Sequence, residues 1–294
     1  MIFAFLYPIS LFPLRILYVI SDFAYYILYY LIKYRRKVVS ENIKITFRSL
    51  SEKEQINIEK QFYKNFCDNF IETIKLLSIS KKDLQSHISA DYSELEKIIS
   101  ENKNCHIYLG HQFNWEWANA HIASMFHKAD VLVVYKQLSS KAANNFMLRL
   151  RSRFGSKMIP SKFMKRDIKP FDQKNHILIL AADQNPNISE RSFWASFLSQ
   201  KTAFMSGAEL YTASNKTTSL FANIIKTKRG HYKFIITPIF DFSKPYQVGK
   251  ITHLFIRNLE SAIIANPENY LWSHRRWKHI YKNEYKKRWI GNIQ

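Results

Sequence analysis

The most distinctive hydrophobic pattern lies at the front of the chain. Residues 2–32 are almost all apolar, interrupted by Ser10, Arg15, Ser21 and Asp22 and broken by Pro8 and Pro13. The stretch Ile16 to Ile32 has 17 residues and includes Asp22, which is marginal for a bilayer crossing. Six tyrosines, at 7, 18, 25, 26, 29 and 30, suit the headgroup boundary. A basic run, Lys33-Tyr34-Arg35-Arg36-Lys37, follows at once. Basic residues after an apolar run mark the cytoplasmic side, so the pattern predicts a membrane anchor over 1–37 and a cytoplasmic domain over 38–294. The other reading of the same residues is a pair of buried core helices. A secretory signal does not fit, because charge follows the apolar run and no small-residue cleavage site is present.

Behind that segment the periodicity alternates between helix and strand. Residues 51–100 read as helical, opened by a Ser51 cap with Glu52 and Glu54 behind it and amphipathic through Leu77. Cys105–Leu109, Val131–Tyr135, Lys157–Ile159 and His176–Ala181 read as short strands, most of them continuously apolar and hence buried. Helices are predicted over 115–126, 140–154, 205–214 and 248–265. Residues 220–226 and 232–238 form a hairpin around Lys228-Arg229-Gly230. The alternation predicts an α/β fold, a mixed central sheet layered by helices.

Composition narrows the chemistry. Six glycines occur among 294 residues, and the closest two are 19 apart. That spacing excludes a Walker phosphate loop, a G-x-G-x-x-G turn and a G-x-S-x-G elbow. Two cysteines, Cys67 and Cys105, cannot build a thiolate zinc cluster or a disulfide framework, so no metal and no cofactor is expected. Lys and Arg total 44 against 23 Asp and Glu, a net charge of +21 that favours anionic partners.

Four clusters could carry chemistry. In Gly110-His111-Gln112-Phe113-Asn114-Trp115-Glu116, His111 emerges at a strand's carboxyl end, where open α/β sheets place ligands. Glu116, five residues on in the first turn of the next helix, could hold one ring nitrogen and leave the other to take a proton; a capping histidine beside a solvated glutamate is the structural alternative. Arg149, Arg151 and Arg153 could surround an anion or form a solvated basic helix. Asp183-Gln184-Asn185-Pro186 follows a buried strand and could orient an arginine or an acceptor sugar, or be an ordinary turn. Trp272-Ser273-His274-Arg275-Arg276-Trp277-Lys278 interleaves aromatics with bases, as at lipid-phosphate or nucleic-acid surfaces.

Taken together these blocks resemble the lipid A biosynthesis late acyltransferases of the lysophospholipid acyltransferase superfamily. The similarity runs along nearly the whole chain: Tyr34-Arg35-Arg36-Lys37-Val38-Val39 with Asn42, the His111-x4-Glu116 motif, Arg151-x-Arg153-Phe154-Gly155, Asp183-Gln184, and Trp272-x-His274-Arg275-Arg276-Trp277. Phe113 stands where the family often has glycine, and Ser196 and Ser199 where it often has Pro and Gly. The resemblance implies a glycerolipid-acyltransferase-like fold. It implies fatty acyl transfer from acyl carrier protein to a hydroxyl of an acylated lipid A precursor, by a monomer at the cytoplasmic face of the bacterial inner membrane. His111 would be the base and Glu116 its partner, with Arg151, Arg153, Asp183, Gln184, Arg275 and Arg276 binding substrate. Neither metal nor nucleotide is implied. Same-fold acylation of another glycolipid, an aminolipid or a pigment is the alternative. A membrane-tethered nucleic-acid-binding protein would explain the charge but not His111 and Glu116 at a strand end.

Overall fold

The computed structural model describes residues 2–293. Two apolar helices, α1 (Ile2–Leu11) and α2 (Leu14–Tyr26, continued by one π-helical turn over Ile27–Leu31), lead into α3 (Arg36–Thr46) and the long α4 (Glu52–Lys75). Ser51 caps α4 as the sequence predicts: its hydroxyl accepts from the Glu54 amide, and Glu54 accepts in return from the Ser51 amide at 2.8 Å. Such a reciprocal cap stabilises a helix start by about 1 kcal/mol.

The elements that follow are α5 (Lys81–Ser86), β1 (Ile88–Asp91), α6 (Ser93–Ser100), β2 (Cys105–Leu109), α7 (Trp115–Met125), β3 (Asp130–Tyr135), α8 (Lys141–Ser152), β4 (Lys157–Pro160), α9 (Met164–Ile168) and β5 (His176–Ala181). Then come β6 (Phe193–Phe197), β7 (Gln200–Phe204), α10 (Ser206–Ser214), β8 (Thr218–Lys228), β9 (His231–Phe240) and α11 (Lys250–Ala265). Seven strands form one sheet in the order β1-β9-β8-β2-β5-β3-β4, parallel except for the β8–β9 hairpin. The mixed α/β sheet expected from the alternation is present. Besides the helices α3 and α9, which no sequence pattern announced, one strand and one hairpin were not expected. The strand β1 interrupts the helical reading of 51–100, and β6 with β7 makes a separate antiparallel hairpin.

Alternation along the central strands sorts their side chains onto two faces. Cys105, Ile107 and Leu109 of β2 pack with Ile177 and Ile179 of β5 against Leu95, Ile98 and Ile99 of α6 and Ile122 of α7. Tyr108, Leu178, Leu180 and Phe221 face the other way, onto Ile251, Phe255, Leu259 and Ile263 of α11. The tight approach of α11 depends on Gly110, since a Cβ there would lie 2.5 Å from Leu259 Cδ1 and 3.5 Å from Asp183 Oδ2. Leu14–Leu31 is, among the described residues, the helix long and apolar enough to cross a membrane, yet Leu17, Ser21 and Tyr25 are buried on its inner side, where α2 packs against α4.

Three histidines are held neutral by burial. His106, bonded through Nδ1 to Thr212, is pushed down to about 3; His121, bonded to Tyr92, and His274 are pushed down to about 4 from the ordinary 6.5. Below pH 6.5 the unfolded chain therefore takes up protons that these folded imidazoles refuse. Stability present above that pH is lost as pH falls through this window, at up to about 1.4 kcal/mol per histidine per pH unit. Thermal unfolding followed by circular dichroism should show Tm dropping between pH 7 and 5, with a shallower drop in His106→Gln. An invariant Tm would contradict this account.

Candidate active site

The register of two neighbouring parallel strands builds the centre of the site. Leu109 of β2 lies beside Ala181 of β5. Two residues past each lie His111 and Asp183. His111 Nδ1 sits 2.5 Å from Asp183 Oδ1, and the His111 backbone N–H donates to Asp183 Oδ2 at 2.8 Å. Burial alone would raise the Asp183 carboxyl; the charge of the imidazole, its two hydrogen bonds and the nearby Arg276 outweigh that and lower it to about 2. An ionised Asp183 fixes the proton of a neutral imidazole on Nδ1 and leaves the Nε2 lone pair free to accept. Gln184 Nε2 is 3.0 Å from that nitrogen, and the Trp115 ring meets the imidazole edge-on at 5.0 Å.

The loop carrying His111 is clamped from behind. Phe113 N–H donates to the Asn269 carbonyl at 2.9 Å, and Leu271 N–H to the His111 carbonyl at 3.1 Å. Asn114 caps α7, its Oδ1 accepting from the Glu116 and Trp117 amides, each at 3.1 Å. This is the local reason that the chain turns from strand into helix directly after the histidine.

The carboxylate on the imidazole is that of Asp183, and Glu116 lies elsewhere than the five-residue offset suggests. Glu116 is buried in the first turn of α7 and forms a forked pair with Arg151 of α8: Nη2–Oε1 2.5 Å, Nε–Oε2 2.9 Å and Nε–Oε1 3.1 Å. Burial opposes the charge on Arg151, but Glu116 more than offsets it and raises the guanidinium above its ordinary value. The Trp115 indole N–H donates to Glu116 Oε1 at 3.0 Å, so among the described residues Glu116 reaches the imidazole only through that ring.

The other basic residues divide between core and surface. Arg153 donates through Nη1 to both the Leu76 and Ile79 carbonyls, each at 2.7 Å, and so closes the end of α4. Arg275 is exposed. Arg276 is only 2% exposed and stacks over Phe204 at 4.3 Å; it donates to Asn185 Oδ1 at 3.0 Å and the Ala203 carbonyl at 2.9 Å. Burial pulls its guanidinium down to about 10. Trp272, taken with these bases as surface, is a core residue packed edge-on against Phe47 and Tyr270. His274, whose role was not foreseen, accepts from the Asn185 N–H at 3.2 Å through Nε2 and so shapes the loop after Asp183.

A strand-end histidine whose tautomer is set by a buried carboxylate, on a mixed α/β sheet, defines a site able to take a proton from a hydroxyl. The sequence pattern of the bacterial lipid A biosynthesis acyltransferases matches residues 1–279, and the chain belongs to that family. It is an acyltransferase of lipid A biosynthesis by that membership. Comparison with curated proteins gives no match.

The Glu116–Arg151 pair makes a stability prediction. Arg151→Ala leaves a buried carboxylate without its partner and should destabilise by about 3–5 kcal/mol, whereas the double variant Arg151→Met with Glu116→Leu should lose much less. Urea unfolding of both checks this; equal losses would mean that the pair is not what the site's second helix leans on.

Proposed function

We propose that the protein transfers a fatty acyl chain from acyl carrier protein to a hydroxyl of an acylated lipid A precursor, at the cytoplasmic face of the bacterial inner membrane, with the apolar segment 2–32 holding it there. The His111–Asp183 pair carries this reading. The acceptor hydroxyl displaces the Gln184 amide and donates to His111 Nε2. The imidazole removes that proton as the oxygen attacks the thioester carbonyl. Collapse of the tetrahedral adduct breaks the carbon–sulfur bond, and the imidazolium returns its proton to the leaving thiolate, so protons and charge balance. Asp183 does not change protonation; it orients the ring and stabilises the imidazolium. Glu116 acts at one remove, holding Trp115 against the ring and α8 against α7. Arg275 is exposed, its carbonyl accepts from the Asn185 side chain two residues after Asp183, and we assign its guanidinium to a substrate phosphate. The surface of net charge +21 favours both an acidic carrier protein and the phosphates of the acceptor.

Purified enzyme with tetra-acylated lipid A precursor and acyl carrier protein thioesters tests the reaction; product found only on a different acceptor lipid would move the protein to another substrate class. In the same assay His111→Ala should lower kcat by about 10²-fold or more, and Asp183→Asn by a comparable factor. The two carboxylates should separate by size of effect: Glu116→Gln should lower kcat less than Asp183→Asn, because Glu116 meets the ring only through Trp115. The reverse order would exchange their roles.

A further inference from the structure

The apolar segment reads equally well as a helix that crosses the bilayer or one that lies along it, and the polar contacts on its inner face separate the two. The outward side of the segment is a continuous apolar surface, with Phe5, Leu11 and Phe12 from α1 and its following turn and Val19, Phe23 and Leu31 from α2, each between 49% and 76% exposed. The inward side, where Leu17, Ser21 and Tyr25 are buried, is tied down along its edges by polar contacts. Asp22, midway along Leu14–Leu31, forms a forked pair with Arg229, its Oδ1 2.7 Å from Nη2 and its Oδ2 3.1 Å from Nη1. The same guanidinium reaches Asp68 of α4 at 2.7 Å, and Ser21 donates to that aspartate at 2.8 Å. Lys75, at the end of α4, donates to the Ser10 and Phe12 carbonyls at 2.9 and 3.0 Å and so pins the turn between α1 and α2.

These contacts cannot coexist with a crossing helix. Arg229 sits at the β8–β9 turn beside Lys226 and Lys228, so a transmembrane Asp22 would draw that turn into the hydrocarbon. The companion along its inner face, α4, carries nine charged residues in 24. An Asp, Lys or Arg carried to the bilayer centre is strongly disfavoured, because hydrocarbon cannot replace its hydration. The flanking charges agree. Arg15 opens α2 and Lys33, Arg35, Arg36 and Lys37 close it, and cations at both ends favour keeping both on the anionic cytoplasmic side.

We propose that α1 and α2 form a monotopic hairpin lying in the plane of one leaflet, its outer apolar face in the acyl boundary of an anionic bilayer and its inner face held on α4 and the β8–β9 turn. The hairpin never leaves the side on which His111 works. An interfacial helix with an apolar outer face and basic flanks binds in this manner. The proposal rests on the membrane association stated above, but fails separately from it.

Single-cysteine accessibility in the full chain tests it, because the native Cys67 and Cys105 are buried and give a quiet background. Arg15→Cys and Lys37→Cys place exposed thiols at the start of α2 and, past its end, in the first turn of α3. With a membrane-impermeant maleimide, both should label in inverted inner-membrane vesicles, and both should lose labelling in right-side-out vesicles. Arg15→Cys labelled from the periplasmic side, or not labelled from the cytoplasmic side while Lys37→Cys is, overturns the in-plane hairpin and leaves membrane association intact. Recovery of the folded protein in the soluble fraction overturns both.

Discussion

A buried negative charge organises this molecule. Asp183 follows a strand that is buried on both faces, and a carboxylate there is tolerated only with its oxygens fully engaged. The β2–β5 register brings the His111 imidazole and backbone N–H to those oxygens. Arg276 adds a positive charge without a direct bond to the aspartate; its own fork holds the Asn185 side chain and the β7 carbonyl of Ala203. Because Arg276 is anchored in the β6–β7 hairpin and His274 in the loop after Asp183, three remote segments must assemble before the carboxylate is stable as an anion. Glycine at position 110 belongs to the same constraint, since α11 and Asp183 both approach where a side chain would stand.

The sheet was legible in the sequence where strands are continuously apolar. Cys105–Leu109 and His176–Ala181 have no alternative use for four or five consecutive buried residues. The four-residue β1 carries Ser89 and Asp91 and pairs only with β9 at the edge, so its signal was drowned by the helices on either side. The site was legible as a set of residues but not as a set of partners. A five-residue offset from His111 pointed to Glu116, because local spacing is visible in a sequence; the pairing with Asp183, 72 residues away, follows from strand register, which is not. The Arg and Trp clusters misled for a related reason. Charge suggests exposure, yet Arg153 and Arg276 are fixed by carbonyls and ring faces, contacts that come from elements distant in the chain.

A second buried carboxylate joins the front of the chain to this centre. Glu72 of α4 accepts from the Tyr18 hydroxyl at 2.9 Å, Asn114 Nδ2 at 2.9 Å and the Tyr232 hydroxyl at 2.5 Å, and burial raises it above its ordinary value. Asn114 is also the cap of α7 and follows His111 by three residues. Two hydrogen bonds therefore separate the apolar hairpin from the helix that carries Trp115 and Glu116, each contributing about 1 kcal/mol. The apolar hairpin is in this sense part of the scaffold of the site.

The amide of Gln184 resting on His111 Nε2 bears on what the protein does while it waits. An imidazole with an open lone pair can activate any hydroxyl that reaches it, water included. In the reaction proposed above, a thioester donor would be open to such attack, and every hydrolysed chain would be a fatty acid that must be activated again. With the lone pair already engaged at 3.0 Å, a passing water has to compete against a donor held on the same loop as Asp183. On the same proposal, a lipid hydroxyl delivered by a large bound acceptor would not face that contest, because the acceptor's remaining contacts would keep the hydroxyl in place while the amide moves aside. Chemical selectivity between two nearly identical nucleophiles, water and a sugar or acyl-chain alcohol, can thus begin with a side chain that stays on the base until something better anchored displaces it.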